Sequence, residues 1–146
     1  MYSDEAGRKA HRGLFALPEG SYHQAGADIP ADILKAVGGG AGRLHLVLSW
    51  EALLSVAVWS HGRPAMFDVL SLLRRSGLTD ADLAPFAGSD PGDLFPWLYY
   101  GKRLDVLRKV CSAAKAKVES HAGPKRLLVS CHLSCSEMHG IVASSL

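Results

Sequence analysis

The sequence predicts an α/β domain with a small, mostly parallel sheet flanked by helices, in a flavodoxin- or Rossmann-like three-layer arrangement with a short C-terminus. A stretch of period-two hydrophobicity at 43–49 leads directly into helical periodicity at 50–61. A second short apolar run at 125–131 follows an amphipathic segment at 103–119. Strands that alternate with helices imply parallel pairing through right-handed crossovers, with ligands at the carboxyl ends of the strands.

Length and composition indicate one globular domain. The chain has 146 residues, of which 48% are hydrophobic and 21% charged, and this excludes a disordered tail. With 16 basic and 14 acidic residues, the charge balance gives no case for a nucleic-acid partner. We expect the α/β domain over 28–146. Residues 1–27 are expected to form a flexible arm, because they contain no apolar core of a signal peptide and mix basic with acidic residues.

The first elements follow from local signals. Asp28 is a candidate N-cap for a helix over 28–37, which the glycine-rich run 38–42 stops. The alternation at 43–49 then predicts a strand buried on at least one face. The change to spacings of three and four predicts a helix over 50–61, ending at Gly62.

The second half is predicted in the same way. The apolar triplet 65–67 is expected to form a second buried strand, followed by a helix over 69–76. Thr79 begins a sequence similar to a capping box. The stretch 87–101, with its glycines, prolines and aromatic residues, is expected to be a long connection, and 103–119 is predicted to be an amphipathic helix.

The segment 44–59 is the most apolar part of the chain. Its sixteen residues fall short of the ~20 that cross a bilayer, and it contains His45 and Glu51, so we do not expect it to span a membrane. The three cysteines are an odd number and favour a reducing compartment, the cytoplasm or alternatively an organelle.

Candidate chemistry is concentrated in one segment, Cys131-His132-Leu133-Ser134-Cys135-Ser136-Glu137-Met138-His139. If the strand ends near Cys131, that thiol lies in a strand-to-helix loop, where the helix end favours the nucleophilic thiolate. Cys135 would then lie one helical turn away and resolve an oxidised or persulfidated Cys131. His132 or His139 can assist proton transfer, since histidine titrates near neutral pH.

Other interpretations of these residues remain open. Cysteine is among the most buried residue types, so Cys111 is expected to be a packing residue, and Cys131 can be one too. Cys131, Cys135 and His139 could also ligate a metal, with His121 as a fourth ligand, but no close C-x-x-C pair supports a zinc knuckle. We therefore expect neither a metal nor a cofactor.

Two parts of the chain resemble the DsrE/DsrF-like family of small sulfur-relay proteins. Ala57-Val58-Trp59-Ser60-His61-Gly62-Arg63-Pro64-Ala65-Met66-Phe67 is similar to the family's helix, glycine turn and strand. Leu127-Leu128-Val129-Ser130-Cys131, followed by a turn and Met138-His139-Gly140-Ile141, is similar to its cysteine-ending strand. The resemblance implies a trimer or hexamer in which Cys131 carries sulfur as a persulfide. The spacing from Cys131 to Gly140 is one residue longer than in the family, so the choice between Cys131 and Cys135 stays open.

These observations predict a small sulfur carrier, a candidate sulfurtransferase, with Cys131, Cys135 and His132 at its site. Its partners would be a protein sulfur donor, a protein acceptor and further copies of the chain. The alternative is a non-catalytic accessory subunit of a larger, organellar or membrane-associated complex, for which the aromatic residues of 95–100 and the apolar stretch 44–59 would supply docking surfaces.

Overall fold

The computed structural model describes residues 1–124 and 126–145, so Lys125, where a predicted strand begins, and Leu146 lie outside the described residues. Three short 3-10 helices lie at Glu19–Ser21, Ala84–Phe86 and Pro91–Asp93. The α-helices and strands, in chain order, are α1 (Glu5–Leu14), α2 (Ile29–Gly38), β1 (Arg43–Leu48), α3 (Trp50–Val58), α4 (Met66–Arg75), α5 (Asp80–Leu83), α6 (Leu94–Tyr100), α7 (Leu104–His121), β2 (Leu128–Cys135) and β3 (Gly140–Ser144).

The α/β class is confirmed, and the sheet is mixed. Its strand order is β1-β2-β3, with β1 and β2 parallel and β2 and β3 antiparallel. The prediction that a strand ends at Cys131 and a helix follows is wrong. Strand β2 continues to Cys135, because its buried apolar residues alternate with Ser130, His132 and Ser134. A turn then leads into β3.

Two other predicted elements are corrected. Residues 65–67 do not form a strand, because α4 begins at Met66, with Asp68 in its first turn where a carboxylate stabilises the helix end. The connection predicted over 87–101 contains α6, whose Leu94 and Leu98 are buried at helical spacing.

Most helix predictions are confirmed. Asp28 caps α2 by accepting a hydrogen bond from the Ala31 amide at 3.0 Å. Thr79 and Asp82 form the capping box of α5. Helix α3 ends at Val58, earlier than expected, because Trp59 adopts a left-handed conformation. The apolar stretch 44–59 is divided between β1 and α3, and none of the helices in residues 1–124 and 126–145 has the length and hydropathy needed to cross a membrane.

The hydrophobic core lies on one face of the sheet. Leu44, Leu46 and Leu48 of β1 project toward this face and are buried together with Cys131 and Leu133 of β2. Helices α3 and α7 pack here, and α7 alone contributes six buried residues: Val106, Leu107, Val110, Cys111, Ala114 and Val118. Close packing of these side chains removes apolar area from water and so stabilises the fold.

Helix α1 covers the opposite face, which corrects the prediction of a flexible arm over 1–27. The N-terminal residues hydrogen-bond to the edge of β1: the Val47 amide donates to the Met1 carbonyl and the Ser3 amide donates to the Val47 carbonyl, both at 3.0 Å. Asp4 then caps α1 through the Gly7 amide at 2.7 Å. The sequence prediction failed because α1 has no apolar stripe. Its buried residues are Gly7 and His11.

Candidate functional site

The structure does not place Cys131 where the predicted chemistry needs it. Its side chain is fully buried in the middle of β2, on the core face. A hydrogen bond with the Cys111 thiol, together with burial, raises the pKa of Cys131 well above its usual value. A neutral, buried thiol is a poor nucleophile, so the prediction of an ionised, solvent-presented Cys131 at a strand end is wrong.

The three predicted site residues do not face one another. Cys135 is half-buried at the carboxyl end of β2 and lines a surface cavity. His132 is buried and projects to the α1 side of the sheet, opposite Cys131, as alternation along a strand requires. The alternative metal set of Cys131, Cys135 and His139 is not assembled in the described part of the chain.

A different cluster, formed by His11, His45 and His132, lies between α1 and the sheet. One ring nitrogen from each histidine lies within 4.8 Å of the other two. His11 Nε2 and His45 Nδ1 are 3.1 Å apart, and the His45 and His132 rings are 5.8 Å apart and nearly parallel. We call these three residues the histidine cluster.

Strand register and one helical face bring the cluster together. In the parallel pairing of β1 with β2, His45 is opposite Ser130 and Val47 is opposite His132. The two histidines therefore share a sheet face, and they are two residues apart in register. Gly7 lets α1 approach this face closely, because a Cβ there would lie 2.7 Å from Ser134 Oγ. His11, one turn further along α1, then points into the same space.

Hydrogen bonds orient two of the rings. Tyr22 donates its hydroxyl proton to the Phe15 carbonyl at 3.2 Å, so its oxygen can accept from His11 Nδ1, 3.0 Å away. His132 Nδ1 is 2.8 Å from Ser144 Oγ, whereas its Nε2 is buried without a hydrogen-bond partner. With Nδ1 protonated in both rings, the Nε2 lone pair of His132 has no hydrogen-bond partner, whereas His11 Nε2 lies at hydrogen-bond distance, 3.1 Å, from His45 Nδ1.

The surroundings keep the histidines neutral. Burial, with repulsion from His132, His45 and the Met1 ammonium, lowers the pKa of His11 to about 4. Burial and the neighbouring His45 lower the pKa of His132 to about 4. Burial, with Arg43 and the N-terminus, also lowers the pKa of His45. Neutral imidazole is the form that binds metal ions, so at neutral pH no proton competes for these nitrogens.

The cluster is shielded on one side and lies next to a cavity on another. The Phe15 ring stacks on His11 at 4.5 Å and lies 5.3 Å from the His132 ring. A cavity of about 780 Å³ is lined by His11, His45 and Tyr22. The amino group of Met1 donates a hydrogen bond to the His45 carbonyl at 2.8 Å, and burial lowers its pKa to about 6.

Sequence reasoning named His132 but not its partners. In the sequence alone, His45 is a polar residue in an apolar segment, and His11 belongs to the expected arm. The signal available was that His45 alternates with the leucines of β1 and so must leave the core face. Pairing it with His132 requires the register of two strands about 80 residues apart, which local patterns do not contain.

Comparisons of the chain with protein-family models, with curated proteins and with solved structures give no match. The resemblance to DsrE/DsrF-like proteins therefore stays a prediction.

Proposed function

We propose that this protein binds a divalent transition-metal ion of the Zn²⁺ type through His11, His45 and His132. The observation that carries the proposal is the convergence of three neutral imidazoles, one of which has a buried Nε2 with no partner. A buried polar atom without a partner is costly, and a metal ion would satisfy it.

The geometry fits such an ion. Zn–N bonds of 2.0–2.1 Å in a tetrahedral site place ligand nitrogens about 3.3 Å apart. His11 Nε2 and His45 Nδ1 are already 3.1 Å apart, and the largest separation in the cluster is no more than 4.8 Å. Closing around an ion therefore requires ring movements of about 1 Å.

The type of ligand indicates which metal ions the histidine cluster can bind. Imidazole nitrogens suit zinc, copper, iron and nickel, whereas calcium and magnesium prefer oxygen ligands. The cluster contains three histidines and no carboxylate. Three protein ligands leave one position of a tetrahedral ion for water, the pattern of catalytic rather than structural zinc sites. Tyr22 and Ser144 would hydrogen-bond to Nδ1 of His11 and of His132, respectively, and so orient the two rings toward the ion.

The test is a titration of EDTA-treated protein with Zn²⁺ by calorimetry, and with Co²⁺ by visible absorption. We expect one ion per chain and cobalt bands of an ordered nitrogen site. His45→Asn, at the least buried ligand, should weaken Zn²⁺ binding at least tenfold. His139→Asn, at an exposed histidine of the β2–β3 turn, is the matched control and should bind normally. Equal Zn²⁺ affinity in both variants, or none in the parent protein, would show that the cluster is only a packed group of rings.

The sulfur-carrier function is a second candidate and stays a prediction. Cys135 is the half-buried cysteine, so this function would use Cys135 rather than Cys131. A flavodoxin- or Rossmann-like three-layer fold with a short C-terminus and a reducing cytoplasmic compartment also stay predictions. The three free thiols are compatible with that compartment. Exposed Phe67 and Tyr100 favour protein partners, as the oligomer and accessory-subunit hypotheses require.

A further inference from the structure

A second cavity, separate from the histidine cluster, lies at the carboxyl ends of the two parallel strands. It has a volume of about 370 Å³, and its wall includes Ser49 after β1, Cys135 at the end of β2, and residues of α6. The space outside the carboxyl ends of parallel strands is the usual ligand position in open α/β sheets. We call it the strand-end cavity.

The charge of the strand-end cavity is negative. Asp4, Glu51 and Glu137 line it, and its wall, as far as the described residues form it, contains neither lysine nor arginine. The Asp4 carboxylate accepts hydrogen bonds from the Gly7 amide and the Ser3 hydroxyl. Within residues 1–124 and 126–145, Glu51 and Glu137 form no ion pair. Two carboxylates therefore border the cavity without a cationic partner.

Aromatic rings form another part of the wall. Trp50 and Phe95 lie 5.9 Å apart between ring centres, and Phe95 lies 5.9 Å from Tyr99. The indole N–H of Trp50 donates to the Pro91 carbonyl at 2.8 Å, which fixes this ring in place. Faces of aromatic rings attract cations, and they also bury the apolar part of a ligand.

One residue of the cavity wall has a buried hydroxyl without a hydrogen-bond partner among the described residues. Ser134 belongs to the cavity wall and is 4% exposed, yet its Oγ has no hydrogen-bond partner. Native proteins leave few such groups unsatisfied, because each costs about 1–3 kcal/mol. An ammonium group has three N–H donors, enough for this oxygen and for carboxylates nearby.

From these observations we infer that the strand-end cavity binds a small organic cation, a primary amine with an aromatic or other apolar body. The ammonium group pairs with Glu51, Glu137 and the Ser134 hydroxyl, while the body packs on Trp50 and Phe95. The volume lies at the lower end of the range of ligand pockets, so a compact ligand fits better than a long polymer.

The test compares three probes that differ chiefly in charge: phenethylamine, 2-phenylethanol and phenylacetate. Binding is measured by calorimetry and by amide chemical shifts in EDTA-treated protein, so that the result does not depend on a metal at the histidine cluster. We expect phenethylamine to bind at least tenfold more tightly than the alcohol, and phenylacetate more weakly than either. Equal binding of the three, tighter binding of phenylacetate, or no binding of phenethylamine would overturn the inference.

Variants locate the site and separate binding from folding. Glu51→Gln and Glu137→Gln should each weaken phenethylamine binding several-fold, whereas Glu119→Gln on α7, away from the cavity, should leave it unchanged. Ser134→Ala removes an unsatisfied hydroxyl, so it should leave the thermal midpoint unchanged or raised while it weakens binding. Unchanged affinity in all three cavity variants would overturn the assignment.

A lysine side chain of a peptide would offer the same ammonium group. Nα-acetyl-lysine amide is therefore included as a fourth probe. Weaker binding than phenethylamine supports a free small amine, as proposed, whereas tighter binding would replace it with a peptide ligand at the same site.

Discussion

The two faces of the sheet are covered by helices of opposite character. On the core face, α7 contributes six buried residues, and all of them are apolar or cysteine. On the other face, the buried residues of α1 are Gly7 and His11. The first face is held by apolar packing, and the second by a close backbone approach, hydrogen bonds and a cluster of rings.

This difference separates stability from chemistry. Burial of apolar surface is insensitive to pH and to metal ions, so the core face should hold the fold under most conditions. The α1 face depends on three imidazoles staying neutral, and it has little apolar area to compensate if they do not. We therefore expect treatments that act on histidine to affect the α1 face first.

Acid should have the largest effect. An unfolded histidine has a pKa near 6.5, whereas the pKa of His11 and of His132 in the folded protein is about 4. Between these values the unfolded chain binds more protons, so the free energy of unfolding falls as the pH falls from about 6.5 to 4. At ~1.4 kcal/mol per pKa unit, each histidine contributes up to about 3 kcal/mol. Urea denaturation of the metal-free protein at pH 7.5, 6 and 5 measures this loss.

A substitution within the cluster identifies the source of the acid effect. His132→Asn should flatten the pH dependence, because Asn does not titrate and can still hydrogen-bond to Ser144. His139→Asn, at an exposed position that favours Asn through its positive φ of 48°, should keep the acid-induced loss. Parallel pH profiles for the parent and His132→Asn would contradict this origin.

A core substitution should cost less than acid and should not affect metal binding. Leu107 of α7 is fully buried, so Leu107→Ala should lower the free energy of unfolding by about 3 kcal/mol. Leu104→Ala, on the same helix at a residue that is 37% exposed, should cost much less. Both variants should bind Zn²⁺ like the parent at neutral pH. A loss of Zn²⁺ affinity in folded Leu107→Ala would show that the two faces are not independent.

Sequence patterns predicted the core face well. The period-two stretch of β1 and the helical periodicity of α7 are strong signals, since apolar burial on one face repeats at the period of the element. The errors lie at short elements: three apolar residues at 65–67 were too few to distinguish a strand from the start of α4. Strand β3, only five residues long, is another such short element.

The α1 face was not predictable in the same way. Its helix buries a glycine and a histidine, and neither adds to an apolar stripe. The cluster also combines residues 11, 45 and 132, which only the register of β1 with β2 brings together. The prediction that Cys131 and His132 share a site is wrong because side chains alternate between the two faces of a strand. They are neighbours in sequence and lie on opposite faces of the sheet.

The smallest effect, and the sharpest comparison within one helix, is expected from Gly7→Ala and Gly13→Ala in α1. Alanine favours a helix over glycine by about 1 kcal/mol, and at Gly13 a new Cβ meets nothing within 4 Å, so Gly13→Ala should stabilise the protein slightly. At Gly7 the Cβ would lie 2.7 Å from Ser134 Oγ and 3.2 Å from Val47 Cγ1, so α1 must shift away from the sheet. Gly7→Ala should then cost about 1 kcal/mol in denaturant unfolding.

The same two variants test whether the packing of α1 on the sheet positions the metal ligand His11. Since His11 lies one turn beyond Gly7, a displaced helix moves one of three ligands, and Gly7→Ala should weaken Zn²⁺ binding several-fold in calorimetry. Adding Ser134→Ala removes the closest contact and should restore part of the affinity. Gly13→Ala should bind Zn²⁺ like the parent. Equal Zn²⁺ affinities for Gly7→Ala and Gly13→Ala would mean that the histidine cluster does not depend on how closely α1 approaches the sheet.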